Sequence, residues 1–160
     1  ASAELIAAGR ERFAAALASG QLTLVHGAVV GAKQRAQQEE LLFHPHPQRS
    51  EWGSVDLRWV RRNAEAHGLP HAEPVRVPAL CLEELVARYG CPGFLKIDIE
   101  GADEAVLADL ERLAVRPATV SWETGKESLR GVLRQHRRLA ALGYRRFRVV
   151  QQAYLEHIVI

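Results

Sequence analysis

Methionine is absent from all 160 residues, and lysine occurs only as Lys33, Lys96 and Lys126. The missing methionine is compatible with loss of an initiator before Ala1 and excludes nothing by itself. The other basic residues are arginines, which we read as compositional bias. A formal charge of +2 is too small to argue for nucleic acid. No apolar run approaches the roughly 20 residues of a membrane-spanning helix. The opening residues lack the charged head and apolar core of a signal peptide. There are two cysteines, and Cys81 and Cys91 make neither a metal spacing nor a disulfide framework. A reducing, cytoplasmic setting is therefore expected, with no nucleic-acid and no membrane partner.

What is present is ordinary for a globular domain: 48% apolar and 25% charged residues, enough chain for one domain with a buried core. The ends are less ordinary. The chain opens in helical spacing and closes on Ile158-Val159-Ile160, whereas domains usually fray into polar tails. Residues 1–160 are expected to be a single domain that is a fragment of a longer one.

Leu5, Ile6, Gly9, Phe13 and Leu17 predict an amphipathic helix ending at Gly20. Leu22 to Val30 reads as a buried strand, and residues 31–54 as polar and irregular around Pro45, Pro47 and Gly53. A short helix over 55–67, a short strand at Val75-Arg76-Val77 and a helix stopped by Gly90 follow. Then come a strand over 94–99, a helix with Val106, Leu107, Leu110 and Leu113 on one face, and a strand over 118–123. Thr124 and Glu127 form a capping box for a helix that Gly143 stops. Residues 144–150 and 155–160 suggest a closing antiparallel pair. The alternation predicts a mostly parallel α/β sheet with strands 22–30, 94–99 and 118–123 adjacent at its centre.

The segment from Phe94 to Asp103 carries the most information. Strand alternation sets Lys96, Asp98 and Glu100 against Leu95, Ile97 and Ile99. Charges in a buried strand cost several kcal/mol unless paired or used. Asp98 and Glu100 fall at the strand's carboxyl end, where ligands sit in open α/β sheets. A simple Lys96–Asp98 ion pair is the structural alternative.

The run Leu95-Lys96-Ile97-Asp98-Ile99-Glu100-Gly101-Ala102-Asp103 resembles the signature of FkbM-type methyltransferases. Supporting pieces stand in the family's order: the strand Leu22 to Val30, Ser50-Glu51-Trp52-Gly53-Ser54 and Val77-Pro78. Arg116-Pro117 through Ser121-Trp122-Glu123 and Leu142-Gly143-Tyr144-Arg145-Arg146-Phe147 complete the pattern, which covers about residues 13–152. The resemblance implies a Rossmann-like class I fold and transfer of a methyl group from S-adenosylmethionine. The acceptor implied is a hydroxyl on a sugar or polyketide-like small molecule. The family's first strand with its acidic, glycine-rich turn, and the second strand's terminal acid, do not appear. By order of elements the sheet is N-terminally incomplete, and weak cofactor binding by these residues alone is expected.

Carried over residue by residue, the resemblance places Asp98 before the sulfonium and acceptor and Ala28 beside adenine. Glu100 is the candidate general base, with helix capping alongside Asp103 as its alternative. Lys96 lowers a neighbouring carboxyl's pKa, and Gly101 serves the turn beside the cofactor. Trp52 and Ser54, in a loop expected to be mobile over the acceptor, are candidate acceptor contacts, with local packing as the alternative. Glu123 ends the next strand on the same rim as a further acceptor contact. Asp98, Glu100 and Glu123 together offer few ligands for a metal, and none is expected. His44, His46, His67 and His71 lack a zinc spacing. Seven arginines between Arg130 and Arg148 read chiefly as a solvated face, with an anionic acceptor or carrier as the alternative. Two other functions compete with the methyltransferase: a non-catalytic remnant or binding module, and a carboxylate-metal hydrolase.

Overall fold

A computed structural model describes residues 2–49, 52–68, 72–123 and 129–150. The chain divides into two compact units, Ala1–Lys126 and Glu127–Ile160. In the first, the order is α1 (Ala3–Arg12), α2 (Ala14–Ala18), β1 (Ala28–Val29), α3 (Ala32–Arg35), β2 (Glu40–Phe43), α4 (Leu57–His67) and β3 (Val75–Leu80). It continues with α5 (Leu82–Tyr89), β4 (Phe94–Ile97), α6 (Asp103–Asp109), a 3-10 turn (Leu110–Arg112) and β5 (Thr119–Trp122). The second unit contributes α7 (Leu129–Ala141).

Two small sheets form. β3 lies between β1, which it pairs in parallel, and β2, which it pairs antiparallel. Its inner face packs Val77 and Ala79 with Ala28, Val30, Leu41 and Phe43 into one buried cluster, which Val55 joins from the following loop. Gly53 is obligatory there, since a Cβ at that position would collide with the Phe43 ring. The second sheet is the parallel pair β4–β5. Behind β4, α6 and its 3-10 extension bury Val106, Leu107 and Leu110, and Leu113 follows. Asp109, also buried, ties α6 to α3 by accepting from the Ala32 amide at 2.6 Å. Gly31 lets the chain cross Ala105, whose Cβ would stand only 3.0 Å from an added Cβ.

The fold is thus α/β, with one parallel pair and one mixed sheet, but several expectations change. Strand 22–30 contracts to Ala28–Val29, an edge strand rather than a central one. An extended run becomes a strand only where a neighbour satisfies its backbone, and β3 meets this segment only near its end, where the Val30 amide donates to the Leu80 carbonyl. Among the described residues, β1 does not pair with β4, so the single sheet centred on 22–30, 94–99 and 118–123 is not formed. The segment 31–54 is not irregular throughout, because it holds α3 and β2. The first helix breaks at Phe13 into two pieces, neither burying a residue. β3 runs on past Val77 through Pro78 to Leu80.

Other expectations hold. α4 spans the expected helix, opened by the Asp56 carboxylate accepting from the Arg58 amide and closed by Gly68 at φ 67°. α5 stops at Gly90, α7 is followed by Gly143 at φ 99°, and β4 and β5 sit where expected. The Thr124–Glu127 capping box and residues 155–160 lie outside the described residues. Residues 144–150 have no strand partner among the described residues.

Candidate functional site

The site is built by strand register. In parallel β4–β5, Lys96 stands opposite Ser121 and Ile97 opposite Trp122. The Glu123 amide continues the pairing by donating to the Ile97 carbonyl at 3.2 Å. Parallel strands end at the same edge, so the next residue on each, Asp98 and Glu123, must come side by side. Glu100 joins them, and one carboxylate oxygen from each of the three lies within 4.8 Å of the other two. Ile97 packs inward and is buried, while Lys96 and Asp98 face solvent, as the alternation requires.

Lys96 donates to Asp98 Oδ2 at 2.6 Å. That hydrogen bond, then the charge of Asp98 and more weakly that of Glu123, raises the lysine above its ordinary 10.5 against a small opposing effect of burial. Lys96 is therefore a fixed cation that neutralises one member of an acidic triad.

The turn after β4 is tightly specified. Glu100 adopts φ 49° and Gly101 φ 106°. A left-handed conformation costs a non-glycine residue about 1–2 kcal/mol, so Glu100 is held there by its surroundings. Asp103 supplies part of the hold, accepting from the Ile99 amide at 3.2 Å and the Gly101 amide at 3.3 Å. Ser54 supplies another part. Its hydroxyl donates to the Glu100 carbonyl and accepts from the Asp56 amide at 3.0 Å. A side chain at Gly101 would press on Asp56 and Trp59, with Cβ contacts of 3.1 and 3.2 Å.

Ser54 therefore brings its loop onto the acidic turn, yet it is buried and its hydroxyl is engaged with backbone. Trp52 lies in the same loop, its ring 5.1 Å from His46 and 4.3 Å from His67, with the Arg49 guanidinium 5.1 Å from the indole. His46 is buried and its Nδ1 accepts from the Arg49 amide at 3.0 Å and the Gln48 amide at 3.3 Å, a structural use of the ring. An antiparallel bridge between His44 and Ser54 closes the loop. His71 lies outside the described residues. Ala28 is buried in β1 opposite Ala79, on the other sheet from the triad. Burial pushes the Cys81 thiol up, which suits a structural residue better than a nucleophile.

The geometry brings Lys96, Asp98, Glu100 and Glu123 together, fixes Gly101 in the turn that follows and ties Ser54 to that turn. The triad's oxygens are close enough to share one cationic group, whether an organic cation or a metal ion. Sequence reasoning missed two supports, the Ser54–Glu100 link and the Asp109–Ala32 bond. Both join residues far apart in the chain, through a backbone atom whose position no sequence pattern announces.

The family model of the methyltransferase FkbM domain matches residues 17–146. The chain belongs to the FkbM methyltransferase family. No curated protein and no solved structure gives a significant match. The FkbM match contains every member of the acidic rim, from Lys96 to Glu123, together with the Ser54 loop that braces it. Among the described residues of this FkbM chain, no helix is long and apolar enough to cross a membrane.

Proposed function

We propose that the chain acts in S-adenosylmethionine-dependent methylation of a hydroxyl oxygen on a sugar or polyketide-like small molecule, on a Rossmann-like class I sheet. The observation that carries this reading is the convergence of Asp98, Glu100 and Glu123 at one strand edge, in a chain of this family. Three carboxylates against one lysine leave the rim net negative, and a sulfonium cation fits that donor set. The cofactor, when bound, supplies an electrophilic methyl group.

The protein's own residues then divide the work. Asp98, oriented by Lys96, presents negative charge to the cation. Glu100 accepts the proton of the acceptor hydroxyl at its carboxylate. Glu123 accepts a hydrogen bond from the acceptor and Trp52 shields it. Ser54, with its hydroxyl engaged, positions Glu100, and Gly101 lets the turn approach closely. Ala28 is assigned to the adenine side. Holding acceptor and methyl in line supplies much of the rate. The cytoplasmic placement rests on Cys81 and Cys91, both free thiols.

The test separates charge from shape. Asp98→Asn should weaken S-adenosylmethionine by roughly tenfold, the worth of one partly screened charge contact. It should leave the product S-adenosylhomocysteine, whose sulfur is a neutral thioether, within about twofold, since there is no sulfonium charge to lose. Calorimetric titration with both ligands, at protein concentrations high enough to resolve weak binding, reads the difference. Equal losses on the two, or none, would remove Asp98 from the sulfonium.

A further inference from the structure

The seven arginines of the chain's positive excess are unevenly placed. Residues 129–150 hold Arg130, Arg134, Arg137, Arg138, Arg145, Arg146 and Arg148 and not one aspartate, glutamate or lysine. The other 138 residues then carry 14 basic against 19 acidic side chains, a balance of −5. Compositional bias toward arginine does not explain why the acids stay away.

The second unit arranges this charge around exposed apolar side chains. On α7, Gln135 and Leu139 are buried, which sets the helix's inner face. By 3.6-residue spacing, Leu129 and Leu133 share a face roughly 120° round the helix from that one, and the row Arg130, Arg134, Arg137 runs alongside them on the side farther from the buried residues. Leu129 is 73% exposed and Leu133 44%. The segment after Gly143 extends the strip, because the Phe147 ring folds onto His136 of α7 with centroids 4.0 Å apart. Phe147 itself is flanked by the exposed Arg146 and Arg148, and Val149 beyond is 95% exposed.

We infer that this Leu129–Leu133–Phe147 strip, bordered by arginines, docks on the surface of an anionic lipid bilayer. Leucine and phenylalanine enter the acyl boundary while guanidinium groups meet phosphate, the arrangement of an interfacial amphipathic helix. The charge complementarity is one-sided, as a phosphate-rich surface demands. Single-stranded nucleic acid fits less well, since it needs open aromatic platforms. The Phe147 ring leans against His136 at an interplanar angle of 49°, and Tyr144 is half-buried. The inference is independent of the methyltransferase reading.

The test is co-sedimentation of the full chain with phosphatidylcholine–phosphatidylglycerol vesicles and with pure phosphatidylcholine vesicles. Binding to the mixed vesicles, lost on the neutral ones and in high salt, is the expected result. Arg137→Gln and Arg146→Gln should each lower the partition coefficient roughly fivefold, the worth of about 1 kcal/mol per charge near such a surface. Leu133→Asp tests the apolar strip, and Phe147→Ser, outside the helix, repeats that test if Leu133→Asp does not fold. No vesicle binding, equal binding to neutral lipid, or unchanged binding in the arginine variants would overturn the inference. Salt-sensitive binding of a single-stranded RNA oligomer without vesicle binding, or sedimentation of the chain with no lipid present, would overturn it in favour of nucleic acid or of a second copy.

Discussion

Replacing Glu100 with glutamine should make the protein more stable. Its carboxylate sits within 4.8 Å of those of Asp98 and Glu123, and two like charges that far apart in water-like surroundings repel by about 0.9 kcal/mol. Lys96, bound to Asp98 at 2.6 Å, cancels most of one of those repulsions, so within the triad the push on Glu100 comes chiefly from Glu123. Glu100→Gln is expected to gain about 0.5–1 kcal/mol at low ionic strength, a rise of about 2–3 °C in Tm for a chain this size. Glu100→Gly removes the same charge and the left-handed strain of about 1 kcal/mol, and gives back roughly 0.5–1 kcal/mol as unfolded-chain freedom. It should therefore land close to the glutamine variant. Both should lose methyl transfer by about a hundredfold or more if Glu100 is the base. Thermal melts at about 20 mM and about 500 mM NaCl provide the assay, because added salt screens exposed charges and should shrink the gain. A lower Tm for Glu100→Gln at low salt, or a gain indifferent to salt, would refute the electrostatic account of the triad.

Asp109 offers a pH-resolved comparison: burial raises its carboxyl above the ordinary 3.8 despite the opposing Ala32 amide bond and Arg112. Asp109→Asn should be neutral or stabilising at pH 7, and the wild type should regain ground as pH falls through the raised value toward 3.8; Asp109→Ala, stranding the Ala32 amide, should cost about 1–3 kcal/mol in denaturant melts. The raised Lys96 implies that stability lost in Lys96→Met is constant below pH 10.5 and disappears as the wild-type lysine deprotonates above it, an effect of about 1 kcal/mol or less for so exposed a pair, read from melts across alkaline pH. Gly101→Ala meets both φ 106° and the backs of Asp56 and Trp59, so a loss of about 2 kcal/mol or more is expected in the same melts.

The parts of the site that could be read in the chain are those fixed by short-range pattern. Strand alternation and a glycine turn point to Lys96, Asp98 and Gly101, and the end of the next strand points to Glu123, because the two-residue period alone decides which side chains share a face. What escaped was set by distant partners. Leu22 to Val25 has the composition of a strand, but a strand needs a neighbour, and β3 meets the chain only at Ala28. β2 was hidden because exposed Leu42 sits between buried Leu41 and Phe43, so the run has no polar alternation to show. Pro78 argues against a central strand from composition alone, yet β3 carries it between two partners. The resemblance supplied the roles of Ala28, Trp52 and Ser54, and the structure places Ser54 against Glu100 while leaving Ala28 on a separate sheet.

All three tryptophans belong to the segments that build the acidic rim: Trp52 is in the loop that Ser54 ties to Glu100, Trp59 lies against Gly101, and Trp122 immediately precedes Glu123 on β5. The protein's ultraviolet emission is therefore a signal from one place rather than an average over the molecule. Trp52, in contact with two imidazoles, should be quenched at rest and brighten when those contacts are lost. Occupancy of the rim can thus be followed without a label, and substituting the tryptophans one at a time with phenylalanine would tell which wall of the site a given compound touches.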